Sequence, residues 1–395
     1  MALNKLDLII AGQLKTSLTE NLEDFLAKKA RELVTIGVSR PFSNKNESRI
    51  TIYKNNKKKL NKKLDIFTIK NPNKFNFGLI FIFYCSYIFS FFKSIFSLNK
   101  KFDLFIGIST FSAALGIILK KIGIVKKVTY YCLDFYPSPK SFGFNKIINI
   151  LFLILEPWVL KNSDYIWYLS NKIKKAHLKQ FKKQAKRIKS ILVPVGYPKK
   201  IARCLSLKQR DKNKLGFIGS ISQNQGLQLA IQSLPELLKT YPNLKLEIIG
   251  QGLYEPEIKK LIKKLNLTKH INYHGFISNS EKAYKILSRC SLALATYTGG
   301  ALDNASFSEP GKPKLYLLLG LPVIITSKTQ ISEFIQKNNV GVKIKYNRQD
   351  FIKAVNKIIK SNKSLENYID NVKKIQPKCY SDTIFTQAFL KMGIK

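Results

Sequence analysis

Residues 308–326 read SEPGKPKLYLLLGLPVIIT. A polar, proline-punctuated turn leads into a short apolar helix, expected over Leu315 to Leu319 and ended by Gly320, because glycine adopts the left-handed C-terminal conformation cheaply. Pro322 turns the chain out, and Val323-Ile324-Ile325 has the unbroken apolar character of a strand buried in a parallel sheet. At the other end, Pro310 or Pro313 suits the first helical position. The N–H groups near Gly311, with Lys312 beside them, make a place for an anion such as a diphosphate. The plainer alternative is a capped, buried helix whose Lys312 is only solvated.

The same punctuation recurs on either side. Upstream, the strand Leu215 to Ile218 runs into Gly219, a polar turn and Gly226, and LQLAIQSLPELLKTY then has helical spacing. Glycines placed between a strand and a helix can cradle a phosphate, although the spacing alone is a weak signal. LKLEIIG with Gly250-Gln251-Gly252, a helix, INYHGFI, a helix and SLALATY follow, and GVKIKY comes after the quoted stretch. Such alternation predicts a doubly wound parallel sheet, with tail helices at about 349–362 and 382–393. His274 reads as a packing residue at a strand end.

Residues 199–214 are polar and basic without apolar periodicity, and read as a linker between two domains. A chain of 395 residues is itself long enough for two. In the N-terminal half, Leu6 to Ala11, Gly12 and an amphipathic stretch form a strand, turn and helix, placing Gly12 where a ligand could approach the backbone. FDLFIGIS (102–109) and VTYYCLDFYP (128–137) read as further strands. Asp134 falls at the carboxyl edge, as a cap residue or as a catalytic group. The apolar aromatic run 75–92 has three readings: a core helix with one face resting in a membrane interface, a fully buried helix, or a span.

The chain carries 68 Lys+Arg against 24 Asp+Glu, formally +44, which favours anionic partners such as phospholipid or phosphorylated substrates. Nucleic acid is suggested by charge alone, with no aromatic-basic recognition motif. The densest basic cluster, Lys57-Lys58-Lys59 with Lys62-Lys63, reads as a solvated loop. Five scattered cysteines, with no C-x-x-C and no histidine cluster, point to a reducing compartment and no structural zinc. No nucleophile triad, paired carboxylates at fixed spacing, metal-ligand spacing or secretory leader is visible.

The order GFIGSISQNQG (216–226), LEIIGQG (246–252), INYHGFI (271–277), CSLALATY and KLYLLLGLPVI (314–324) resembles the donor-binding domain of GT-B glycosyltransferases, in particular glycosyltransferase family 4. Gly12, FDLFIGIS and the DFYP turn extend the resemblance more loosely to the N-terminal half. It implies an α/β fold of two Rossmann-like, doubly wound parallel-sheet domains facing across a cleft: 1–198 for the acceptor, 199–378 for a nucleotide-diphospho-sugar, and 379–395 as a helix crossing back. It also implies a retaining transfer without cofactor or metal, backbone amides and basic side chains neutralising the departing diphosphate. Two family cations are replaced here by Ser220 and Gln225, and Leu315 stands where a ribose-binding glutamate is usual.

On this reading Gly219, Ser220, Gln225, Gly250, Pro310, Gly311 and Lys312 hold the donor, Glu309 and Asp134 are the catalytic candidates, and Gly12 faces the acceptor. The expected activity is sugar transfer to a cell-envelope glycan, such as a polysaccharide or lipopolysaccharide, or to its lipid-linked precursor. The expected location is the cytoplasmic face of the plasma membrane, on an anionic lipid surface. A non-catalytic GT-B subunit and a nucleotide-sugar epimerase are the rival readings.

Overall fold

Each βα repeat buries one apolar strand between helices, and in a computed structural model the repeats assemble into two parallel-rich sheets. The structure describes residues 2–13, 17–41, 43, 45–69, 77–135, 144–185, 188–298 and 309–395. Tyr136 and Pro137 of the DFYP turn, and Ser308, lie outside them.

The first unit comprises Met1–Pro194 and Ile384–Lys395. Its strands are β1 (Asp7–Gln13), β2 (Glu32–Val38), β3 (Arg49–Lys54), β4 (Lys57–Lys63), β5 (Phe102–Ile108), β6 (Val125–Cys132), β7 (Tyr165–Tyr168) and β8 (Lys189–Leu192), in the order β4-β3-β2-β1-β5-β6-β7-β8. Its helices are α1 (Ser17–Lys29), α2 (Phe77–Phe96), α3 (Thr110–Lys121), α4 (Phe144–Asn162), α5 (Asn171–Gln180) and α6 (Lys182–Ala185). Strand order reverses between β1 and β5, which pair in parallel from Leu8↔Leu104 to Ala11↔Gly107. Open sheets of this kind bind ligands at that reversal, beyond the strands' carboxyl ends.

One edge departs from expectation. The lysine cluster is a strand, not a loop: β4 pairs antiparallel with β3, from Arg49↔Lys63 to Lys54↔Lys57, and every β4 residue is exposed. Lysines along a bare edge discourage pairing with a second chain.

Helix α2 buries Ile80, Phe83, Tyr87, Phe91 and Ile95, one stripe at helical spacing. Its other face leaves Phe81 62% and Phe89 68% exposed, with Ile82, Ile88 and Phe96 also exposed. The helix is long and apolar enough to cross a membrane by length and composition, but the buried stripe packs it onto its own domain.

The second unit is Val195–Thr383. It carries β9 (Lys214–Ile218), α7 (Leu227–Thr240), β10 (Lys245–Ile249), α8 (Glu255–Lys264), β11 (Ile271–Gly275), α9 (Ser280–Ser288), β12 (Leu292–Ala295), α10 (Lys312–Leu318), β13 (Val323–Thr326), α11 (Ile331–Lys337), β14 (Gly341–Ile344), α12 (Arg348–Ile359) and α13 (Asn362–Ile375). The all-parallel sheet has the order β11-β10-β9-β12-β13-β14, reversing between β9 and β12. Helix α10 starts three residues before the expected Leu315, with Pro313 in its first turn, and Gly320 follows at φ +76°. Helix α13 lies between the two tail helices read from sequence. The last helix, α14 (Ser381–Lys391), contributes Phe385 and Phe389 to the first unit, against Phe25 and Trp167.

The contact division falls a few residues from the boundaries drawn on sequence. Tyr197 forms a parallel bridge with Tyr380, its N–H donating to the Cys379 carbonyl at 3.1 Å, so residues 195–198 are held by the second unit. The stretch 199–214 is not a free linker. Arg210 is buried there and donates to the Ser288 carbonyl at 3.0 Å and the Cys290 carbonyl at 3.3 Å.

Candidate functional site

The carboxyl ends of β9, β10 and β12 converge at the second sheet's reversal. Strand β9 runs into Gly219, whose N–H donates to the Ile249 carbonyl at 3.0 Å, while the Gly250 N–H donates to the Gly275 carbonyl at 2.8 Å. Gly219 and Gly250 stand at φ +143° and +141°, and a Cβ on Gly250 would lie 1.9 Å from the Gly219 carbonyl oxygen. Glycine is required at 250 because two loops of backbone touch there.

Lys312 lies directly beneath this loop. A Cβ on Gly219 would sit 3.0 Å from its Cδ and 3.3 Å from its Nζ. That Nζ is buried, 4.4 Å from the centroid of the Phe217 ring and 5.1 Å from that of Tyr297, with no hydrogen-bond partner among the described residues. Loss of hydration lowers its pKa to about 7. Two aromatic faces offset part of the lost hydration, and the remaining deficit is what an anion would relieve. Helix α10 has only two turns, so the charge here comes from Lys312 rather than from a helix dipole.

Glu309 is placed differently. Its Oε1 accepts from Lys314 Nζ at 2.8 Å, and the same nitrogen donates to the Val195 carbonyl at 2.8 Å. Its Oε2 is buried without a partner among the described residues. Pro310 and Gly311 carry the chain between these groups, with Tyr197 against Gly311, where a Cβ would meet Oη at 2.5 Å. Ser220 is exposed at the loop tip, and Gln225 ends a short 3-10 turn before Gly226. Leu315 is buried in the apolar core, so no carboxylate enters from that position.

Sequence reasoning missed Lys314, Tyr297 and Tyr316. Tyr316 is fully buried and fixes the loop from below, its Oη accepting from the Ile218 N–H at 3.0 Å and donating to the Leu294 carbonyl at 3.1 Å. Its only signal was a polar atom within an apolar helix.

In the first unit, Gly12 and Asp134 line one cavity of about 290 Å³ at the β1/β5 reversal, together with Arg40, Tyr84, Ser109 and Thr110. Ser109 joins β5 to α3 at φ +104°, a costly backbone conformation for serine, and its Oγ accepts from the Ser112 N–H. Asp134 is exposed as a residue, yet the protein around its carboxyl desolvates it enough to raise its pKa. His274, expected as packing, is ion-pair distance from Glu247, Nε2 to Oε2 2.6 Å.

Behind the cavity wall lies a cluster the sequence did not announce. Glu156 is fully buried, its Oε2 accepting from Thr110 Oγ1 at 2.7 Å and Tyr130 Oη at 3.3 Å. Burial raises its pKa to about 8 and lowers that of His177, 3.2 Å from Oε1, to about 3.

Residues 203–375 match the model of the family described as Glycosyl transferases group 1. The fold is the GT-B fold of these glycosyltransferases: two Rossmann-like units in one chain, the last helix returned to the first. Among curated proteins the chain is 26% identical over 239 residues to an uncharacterized glycosyltransferase of Methanocaldococcus jannaschii, covering 58% of this chain and 56% of that protein. It is 24% identical over 188 residues to the alpha-monoglucosyldiacylglycerol synthase of Acholeplasma laidlawii, covering 45% and 44%. The matched stretch thus spans about half the length of these relatives. HepE of Anabaena in complex with UDP shares the fold, with TM-score 0.69, 14% identity and coverage of 98% of this chain and 100% of that one.

Proposed function

We propose that the protein is a glycosyltransferase that moves a sugar from a nucleotide-diphospho-sugar to a cell-envelope glycan or its lipid-linked precursor. One observation carries this reading: the buried amine of Lys312, without a hydrogen-bond partner among the described residues, beneath the Gly219–Gly250 loop contact at a switch point built for ligands. A diphosphate seated there gives the ammonium a charged partner. As the sugar–phosphate bond breaks, negative charge grows on the diphosphate, and Lys312 stabilises it more than the ground state. Basic side chains can thus do for the leaving group what a metal does elsewhere. Retention of configuration rests on the family resemblance.

The first-unit cavity is the proposed acceptor site, with Asp134 at its rim and Gly12 in its wall. The name of the Acholeplasma relative, alpha-monoglucosyldiacylglycerol synthase, supports a lipid-linked acceptor. The exposed aromatic face of α2 supports a location at the inner surface of the plasma membrane, the helix lying along lipid rather than crossing it. The lysine-covered edge strand suits anionic headgroups.

A second reading has one observation in its favour. Leu315 is buried where a ribose-binding carboxylate would stand, and Ser220 and Gln225 bring no charge, as in a subunit that has lost catalysis. A thermal-shift screen against UDP, GDP, ADP, CMP and their common sugars separates the two. Native-state binding raises apparent stability by about 2.7 kcal/mol at a hundredfold excess over Kd. A shift with one nucleotide, lost in Lys312→Ala, supports the transferase. No shift with any, in folded protein, favours the non-catalytic subunit.

A further inference from the structure

The geometry points to a metal site in the core of the first unit, a zinc-class divalent cation held by Cys132, Glu156 and His177. It lies apart from the donor loops and does not depend on the transferase reading. The three residues are far apart in sequence, on β6, α4 and α5, and all are fully buried. Cys132 Sγ is 3.9 Å from His177 Nε2, which is 3.2 Å from Glu156 Oε1. Zinc bonds of roughly 2.0–2.3 Å in a tetrahedron set neighbouring donor atoms roughly 3.3–3.8 Å apart, and the three donor atoms here all lie within 4.8 Å of one another, so a bound cation draws them together.

The outer contacts are those a metal site requires. The second polar atoms of the carboxylate and the imidazole are already oriented: Thr110 and Tyr130 hold Glu156 Oε2, and Tyr168 Oη lies 3.2 Å from His177 Nδ1. Glu156 Oε1 is instead buried with no hydrogen bond among the described residues, and it faces the imidazole. Groups that are both buried and unpaired call for a missing partner. The charges also balance, since a divalent cation with a thiolate, a carboxylate and a neutral imidazole sums to zero. Such a neutral complex sits in an apolar core at far lower cost than a lone ion. Binding sends the thiol proton of Cys132 and the carboxyl proton of Glu156 to solvent, and forms one bond each to S, O and N. One coordination position remains for a solvent molecule.

The competing account is a metal-free polar cluster in which Glu156 keeps its proton and shares it with His177. Metal analysis of the full chain, produced in zinc-supplemented medium and purified without chelator, separates them. About one zinc per chain is expected, lost in Cys132→Ser and His177→Gln and kept in His274→Gln, which removes the surface imidazole beside Glu247. Because the core variants could fail to fold, wild-type protein is also unfolded with chelator and refolded with cobalt. A thiolate-to-cobalt charge-transfer band, bleached by added zinc, is expected. A metal-free wild type with no such band, or equal metal in every folded variant, overturns the proposal.

Discussion

The Nζ of Lys312 stands 4.4 Å from the centre of the Phe217 ring, buried beneath Gly219, and has no hydrogen-bond partner among the described residues. A lysine in that position lowers the stability of the empty protein and strengthens the bound one. Lys312→Met keeps the length of the side chain and removes the buried charge. Chemical denaturation should show the variant more stable by about 1–3 kcal/mol, the desolvation cost of an unpaired buried group. Calorimetry should show nucleotide affinity reduced roughly 10- to 150-fold, the loss of a charge-assisted hydrogen bond of about 1.5–3 kcal/mol. A merely solvated lysine would move neither quantity.

The same residue sets a pH dependence. In the unfolded chain Lys312 has an ordinary lysine pKa, and burial lowers it to about 7 in the folded one. Between about pH 7 and the unfolded value the unfolded state therefore binds more protons, so this residue's contribution to stability rises with pH across that window. Its cost is present in full below about 7. A bound diphosphate holds the ammonium charged, so binding takes up a proton above pH 7. Affinity for a nucleoside diphosphate should fall by up to tenfold per pH unit from about 7 upward. Isothermal titration in buffers of different ionisation enthalpy checks this, and the dependence should vanish in Lys312→Met.

Gly250→Ala places a Cβ 1.9 Å from the carbonyl oxygen of Gly219, at a backbone angle that disfavours alanine. Relief requires the two loops to part. Stability should fall by about 1–3 kcal/mol, and nucleotide binding should weaken with it. Gly275→Ala is the control: its φ is also positive, but nothing lies within 4 Å of the added carbon, so it should cost stability through strain while sparing binding.

On α2, Phe81→Ser with Phe89→Ser removes two exposed rings and leaves the buried stripe intact. Burying a phenylalanine contributes about 1.5–3 kcal/mol, so flotation with anionic vesicles should show affinity down at least tenfold while the melting temperature holds. Binding unchanged by the double substitution would remove α2 from the membrane account.

Much of the fold was legible because parallel sheets write themselves as apolar runs between glycine turns. Val323-Ile324-Ile325 is such a run, and β13 is fully buried. The lysine strand β4 was not legible, since Lys57 to Lys63 has neither alternation nor β-branched residues. Only pairing with β3 makes it a strand. Arg210 falls in the stretch that reads as linker because a polar sequence hides its carbonyl partners, Ser288 at the end of α9 and Cys290 in the connection to β12. The candidate site was half visible: Gly219, Gly250 and Lys312 do converge, as do Gly12 and Asp134. The Lys314 contact with Glu309, and the gathering of Cys132, Glu156 and His177, are products of tertiary packing with no local signature.

Sugar transfer itself is the most direct test. Purified protein is incubated with each common nucleotide sugar, labelled in the sugar, and with a lipid and glycan extract of the cell envelope. The label is then followed from the nucleotide fraction into the acceptor fraction. The account predicts transfer from one nucleotide-sugar class, at a rate that falls at least tenfold in Lys312→Met. Tight nucleotide binding with no movement of label, in protein that binds the same extract, would contradict it and leave a non-catalytic subunit in its place.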